Sequence, residues 1–190
     1  AQTVYVKAEN SNYETATGSG TVTITALAIT VNDTATETYD GSEKTLTIEA
    51  SKASGVLSGE TLTLTGATIS GTDVGEYTDV ATYTWSVVKA DGTTDSTGNY
   101  TITVTGKLTI TESATELTIE SATDSKEYDG TELTAPTYTI TYGEESGTAT
   151  AAEDGTYSYE LSTGDTIVIT PAATATVTHV ADGTVKNAFS

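Results

Sequence analysis

The chain has 190 residues, with 7 basic against 27 acidic side chains, a formal net charge of −20 and no Cys. That balance excludes the basic surface that nucleic acid or an anionic membrane demands, and the missing thiols exclude a disulfide framework and Cys-ligated zinc or iron–sulfur sites. An apolar content of 36% suits thin two-layer packing, in which each strand buries one face, better than a single deep core.

Thr is the commonest residue, and the 11 Tyr outnumber the one Phe and one Trp. Such β-branched and aromatic side chains fit a pleated, half-buried surface. No long stretch carries apolar residues at helical spacing, and no apolar run approaches the ~18 residues of a membrane span. No basic-then-apolar leader opens the chain, so any signal segment has been removed or lies far upstream.

In chain order, Val4-Tyr5-Val6 begins a strand, Glu9–Asn12 is a polar turn, and Tyr13 leads to a second strand at Thr21–Thr25. Ala26–Val31 follows, with Leu27, Ile29 and Val31 on one face, and Asp40-Gly41 supplies a tight turn. Thr45–Glu49 turns Leu46 and Ile48 inward, Ser51–Gly59 reads as loop, and Thr61–Thr65 alternates cleanly. Tyr77–Val88 is β-rich and holds Trp85; Asp91–Gly98 is a turn-rich loop; Asn99–Thr105 alternates through Tyr100, Ile102 and Val104, and Leu108/Ile110 closes the unit. Leu117/Ile119 then opens a second unit with a Tyr128-Asp129-Gly130 turn. Thr137–Tyr142 is a strand, Gly143–Gly147 a hairpin loop, and Tyr157–Leu161, Thr166–Thr170 and Thr174–Val180 are further strands.

Two segments share one plan. Gly20–Gly41 and Gly106–Gly130 each run Gly, short strand, second strand, polar stretch, Tyr-Asp-Gly. The Tyr-Asp-Gly turns and the pairs Asn12-Tyr13 and Asn99-Tyr100 recur at nearly one period, which marks an internal repeat. With the closing Gly-x-Val/Leu-Thr-Ile-Thr of Gly20–Thr25 and Gly106–Thr111, this pattern resembles the MBG/YDG family of repeats in large bacterial surface adhesins. The resemblance implies an all-β fold of tandem Ig-like antiparallel β-sandwich repeats, and an extracellular location on the bacterial cell surface. On that plan residues 1–25 are the closing strands of a preceding repeat or a donor hairpin, 26–111 a complete repeat, and 112–190 a repeat lacking its closing strands. The short stretch Thr111–Glu116 between them suits a fixed angle between repeats. Expected partners are neighbouring repeats or identical subunits meeting through β-strand edges, and host glycans, since some family members are described as mucin-binding. Two functions stay open: the stalk of an adhesin or a fibre subunit assembled head-to-tail by strand donation, and a glycan (mucin)-binding module.

Catalytic chemistry finds no convergent motif, so no enzyme is expected. His179 is the single His, on a predicted strand over Ala175–Val180, and no HExxH, P-loop or Gly-x-Ser-x-Gly is present. Loop acids such as Asp73/Glu76, Asp91/Asp95 and Glu144/Glu145 solvate a surface or supply oxygen ligands. Calcium is the cation they would suit, although Asp91–Asp95 has neither EF-hand nor RTX spacing. No other cofactor is expected. An isopeptide cross-link is disfavoured, because Lys44, Lys89, Lys107 and Lys126 flank turns or strand ends. Trp85, Tyr83 and Tyr77 are the candidate ligand residues, as a glycan-stacking platform, although a lone Trp at alternating spacing more often fills a sandwich core.

Overall fold

The computed structural model describes residues 1–172 and 176–190, so Thr174 and Ala175, where the predicted strand over 174–180 begins, lie outside the described residues. The protein is all-β, and three short 3-10 turns are the only helix among the described residues. Contacts divide the chain into two compact units. The first comprises residues 1–36, 45–71 and 76–109, and the second residues 37–44, 72–75 and 110–190.

The first unit opens with β1 (Gln2–Asn10) and β2 (Tyr13–Val22), an antiparallel ribbon. Next comes β3 (Leu27–Thr38), where Ile29 and Val31 are fully buried but Leu27 is exposed. Periodicity predicts a strand ending at Val31. It continues to Thr38 because its polar second half lies beside β10 (Tyr100–Thr111), and ladder hydrogen bonds override the weak propensity of Asn32–Thr38. Between them in sequence come β4 (Lys44–Thr47), β5 (Ala53–Ser54), β6 (Thr61–Thr65), β7 (Thr68–Gly71), β8 (Gly75–Tyr77) and β9 (Thr84–Val88). One sheet has the order β5-β3-β10-β8, and β4-β7 and β6-β9 form two-stranded ribbons.

The relation between β3 and β10 can be read from their contacts. Thr105 Oγ1 donates to Val31 O (3.4 Å) and Asn32 Oδ1 (3.1 Å), Thr111 Oγ1 to Glu37 O (3.1 Å), and Tyr39 N–H to Thr111 O (2.9 Å). The residue numbers rise together along both strands, so the first and last long strands of this unit run parallel. Along β10, Tyr100, Val104, Leu108 and Ile110 are buried, the inward alternation of a half-buried strand. Gly106 lies on the same face, and a Cβ there would stand 3.0 Å from Asp33 O, Ile48 Cδ1 and Ile69 Cδ1. The glycine therefore lets β10 pack closely against the residues of the β4–β7 layer.

Tyr100 anchors the start of this strand. Its hydroxyl donates to Glu60 Oε2 (2.5 Å) and accepts from Leu57 N–H (3.3 Å), while buried Ser96 also donates to Glu60 Oε2 (2.9 Å). Hydrogen bonding to Glu60, and then desolvation, raise the phenol's pKa. On β8, whose Glu76 meets Lys107 of β10, the Tyr77 ring lies directly over Gly71, where an added Cβ would fall 2.4 Å from Cζ.

The second unit contains β11 (Leu117–Ser121), β12 (Leu133–Thr134), β13 (Tyr138–Tyr142), β14 (Glu145–Thr148), β15 (Thr150–Ala151), β16 (Tyr157–Glu160), β17 (Thr166–Ile169) and β18 (Thr176–Val177). They form the sheets β11-β13-β14, β15-β16-β17 and β12-β18. The predicted loop Gly143–Gly147 is a tighter turn: Tyr142 pairs with Glu145, leaving only Gly143 and Glu144 between strands, with Gly143 at φ 59. A two-residue hairpin of this hand needs positive φ, which Gly supplies without strain. Tyr138, Ile140, Ala149, Leu161 and Ile169 form the buried cluster. Tyr157 and Phe189 meet the Tyr138 ring edge-on, with centroids at 5.0 and 5.6 Å, the geometry that aromatic quadrupoles favour. A second ring covers a glycine here, since a Cβ on Gly147 would fall 2.3 Å from Tyr159 Cε2.

Residues 37–44 belong to this unit. Tyr39 OH donates to Asp165 Oδ2 (2.8 Å), and Gly41 (φ 82) approaches Thr163 so closely that a Cβ would fall 2.1 Å from its carbonyl oxygen. The Gly of the first Tyr-Asp-Gly is thus required by both dihedral and contact.

Candidate functional site

Two features leave pairing capacity unused. The β1–β2 ribbon is a two-stranded sheet by itself, and every residue from 1 to 28 is exposed. Cross-strand partners share a face. The register Gln2↔Val22, Val4↔Gly20, Val6↔Gly18 and Ala8↔Ala16 therefore gathers Val4, Val6, Ala8, Ala16 and Val22 on one side, with two glycines. Thr3, Tyr5, Lys7, Thr17 and Ser19 take the other side. Val4, Val6 and Val22 are 49%, 64% and 60% exposed, and Ile24, two residues further on, is 99% exposed. This is half of an apolar core on which, among the described residues, nothing is packed.

The second feature is β11. It pairs with β13 from Leu117↔Tyr142 to Ser121↔Tyr138 and is the outer strand of its sheet. Glu116 O accepts from Gly143 N–H, and Ala122 N–H donates to Thr137 O, so the even-numbered residues direct their backbone groups toward β13. Alternation then turns the N–H and C=O of Leu117, Ile119 and Ser121 to the open edge. Beyond Ser121 the strand stops, and residues 122–130 have no regular structure. Beside them lies an open cavity of about 340 Å³ whose lining includes Asp124, Lys126, Tyr128, Leu133, Val177 and Val185. Asn187 lines a smaller cavity that shares Asp124, Leu133, Val177 and Val185 with it, its Nδ2 donating to Ala122 O (2.9 Å) and Ala135 O (2.7 Å).

The two Tyr-Asp-Gly turns differ in the same sense. Around the first, Tyr39 and Gly41 are packed. In the second, Tyr128 is 62% exposed and a Cβ on Gly130 (φ 79) would meet nothing within 4 Å. Each turn is closed by its own aspartate. Asp40 accepts from Ser42 and Lys44, and Asp129 from the N–H and hydroxyl of Thr131. Those Thr131 bonds, with Lys126, hold the Asp129 carboxyl at about 2.

The residues singled out for ligand binding are distributed as follows. Trp85 sits on β9 opposite Leu64, with Tyr83 just before the strand; both are half-buried. Tyr77 is on β8, in the other sheet, its ring occupied by Gly71. Asp91 accepts from Thr93 N–H (2.9 Å) and from Thr94 N–H (2.8 Å) and hydroxyl (2.5 Å), which hold it at about 2. Asp95 caps Thr97 N–H, which lowers its pKa. Both carboxylates face their own turns, and among the described residues no group of three or more His, Asp or Glu is placed to hold a metal ion. His179 is exposed at the head of a 3-10 turn, its N–H donating to Asp182 (2.7 Å), with Tyr128 at 6.2 Å. Lys44, Lys107 and Lys126 each meet a carboxylate: Asp40, Glu76 and Asp129.

Reading the sequence did not single out Leu133, Val177, Val185 or Asn187. They lie on two-residue strands and irregular stretches, where no period exists to read. Neither a protein-family model, nor a curated protein sequence, nor a solved structure matches the chain.

Proposed function

We propose that this chain is a structural and adhesive module of an extracellular bacterial surface protein, built from tandem Ig-like repeats of the MBG/YDG type and acting as a stalk or fibre segment. The observation that carries the reading is the parallel contact of β3 with β10. Where the first and last strands of a unit run side by side in one direction, tension along the chain pulls them past one another. Their hydrogen bonds then resist together in shear rather than parting one at a time. A covalent array of such units transmits load and displaces whatever it carries from the cell.

Single-molecule pulling on the full chain, from Ala1 to Ser190, tests this. The expected trace has a distinct force peak that releases the roughly 85 residues from Leu27 to Thr111, about 30 nm of chain at ~3.5 Å per residue. Smooth extension at low force, with no such peak, overturns the mechanical reading. A glycan-binding module is the second reading, favoured by the partial solvent exposure that Tyr83 and Trp85 retain. Binding to mucin-type glycans that Trp85→Ala abolishes would place it first.

A further inference from the structure

The exposed ribbon and the open edge are complementary, and the chain itself supplies the template for joining them. In the first unit the opening strand β3 has neighbours on both sides, β5 and β10. In the second the opening strand β11, whose Leu117/Ile119 match Leu27/Ile29, has among the described residues a neighbour on one side only, β13. The second half of β3 is a strand because β10 lies along it; the matching residues 122–127, without such a partner, are irregular. The inner face of β10 presents Gly106, Leu108 and Ile110, with Gly106 closing on Ile48 and Ile69 of the β4–β7 layer. Beside 122–127 and the β12–β18 ribbon there is instead a cavity lined by Leu133, Val177 and Val185. The segment that matches β10 in sequence, Gly20-Thr21-Val22-Thr23-Ile24-Thr25 against Gly106-Lys107-Leu108-Thr109-Ile110-Thr111, lies wholly exposed.

We propose that the open edge of β11 and the adjoining cavity receive the β1–β2 ribbon of a second copy of this chain. Strand β2 of that copy runs parallel to β11, and Val22 and Ile24 fill the place that Leu108 and Ile110 fill in the first unit. The resulting order, β13-β11 followed by β2 and β1 of the second copy, reproduces β5-β3-β10-β8 strand for strand. The ribbon docks intact, because β1 takes the flank that β8 takes beside β10. Main-chain bonds to Leu117, Ile119 and Ser121 give the attachment and the apolar face gives the register, as in strand addition generally. The interaction is head-to-tail, so it propagates instead of closing a dimer. Residues 13–25 carry a single charge, Glu14, so docking adds little local repulsion. The −20 on each copy still opposes approach, and salt that screens it favours assembly.

This deepens the structural reading above and rests on it, but its test is separate. Purified full chain is followed by sedimentation velocity and electron microscopy over a range of protein and salt concentrations. Chains of increasing length are expected at high concentration, with assembly rising from low to physiological salt. Val22→Asp combined with Ile24→Asp is expected to stay monomeric with an unchanged unfolding midpoint, because both side chains are exposed in the single chain. Leu117→Pro removes an outward N–H and leaves the ladder to β13 in place. Alone it should also stay monomeric, yet mixed with the Asp variant it should give a discrete pair, because one supplies the ribbon and the other the edge. A wild-type chain that remains monomeric throughout overturns the proposal. So does an Asp variant that assembles like wild type, or one whose own midpoint falls, which would mean the ribbon is held by its own chain. A monomer that still shows the force peak refutes docking alone, and assembly without the peak refutes the mechanical reading alone.

Discussion

Gly106→Ala measures how tightly β10 is packed, and Gly20→Ala is its built-in control. A Cβ at position 106 would sit 3.0 Å from Asp33 O, Ile48 Cδ1 and Ile69 Cδ1, where ordinary carbon contacts lie at about 3.5–4.0 Å. The two methyl tips can rotate away, at about 0.5–1.5 kcal/mol for each side chain pushed off its rotamer. The carbonyl oxygen belongs to the backbone of β3 and can retreat only by stretching the ladder. Overpacking of this kind typically costs about 1–3 kcal/mol, and replacing Gly with Ala returns about 0.4–1 kcal/mol through the unfolded chain. The expected net destabilisation is about 1–2 kcal/mol, rising for Gly106→Val to about 3 kcal/mol as two more methyl groups enter. At position 20 the added Cβ meets nothing within 4 Å, so Gly20→Ala should lie within about 0.5 kcal/mol of wild type. Urea unfolding followed through Trp85, the sole Trp and part of the first unit, supplies the readout. Gly106→Ala with wild-type stability, or the two alanines with equal effects, would refute the argument that the inner face of β10 is closed.

Tyr100→Phe should lower the unfolding midpoint reported by Trp85, whereas Tyr13→Phe, at an 80% exposed position, should leave it unchanged. Absorbance titration should show one phenol with a raised pKa lost in Tyr100→Phe. That raised value stabilises the fold below pH ~10, and the contribution disappears as pH rises through the folded-state pKa. At the acid end, Asp91 and Asp129 titrate at about 2 in the folded chain against about 3.9 in an unfolded one. Their contribution is complete above pH ~4 and is lost as pH falls toward ~2. A thermal midpoint that is flat across that interval, or that rises on acidification, would contradict the turn bonds described for both.

The architecture was legible wherever alternation was long. Ile29 and Val31, Leu46 and Ile48, Tyr138 and Ile140 are buried as the period of two requires. Leu27 lies on the same strand as Ile29 at the same alternation yet is exposed, because alternation says which face a side chain takes, not whether another layer reaches that far. The run of β3 to Thr38 was invisible because its second half draws its order from β10, whose contacting residues lie 73 or 74 positions further along the chain. Similarly, Thr21–Thr25 alternates as well as Gly106–Thr111 does, yet β2 ends at Val22, since no neighbouring strand continues alongside it. The edge of β11 was foreshadowed only by repeat comparison, and its cavity, formed by two-residue strands and irregular chain, carried no local signal. Of the loop acids read as surface or ligand groups, Asp91 and Asp95 are exposed, and each bonds a Thr two or three residues on. That is the ordinary Asx-turn role of aspartate.

The tyrosine rings that lie over Gly71 and Gly147 bear on how such units can diverge. With 2.3–2.4 Å between the ring and the missing Cβ, neither glycine can gain a side chain while its tyrosine stays, and a tyrosine lost alone leaves a bare backbone hollow in a strand. A side chain at either glycine requires its ring to move aside, so change at one member of a pair favours change at the other. Among descendants of this chain, Gly71 with Tyr77 and Gly147 with Tyr159 would therefore be kept or lost together, even where the surrounding Thr-rich faces drift freely.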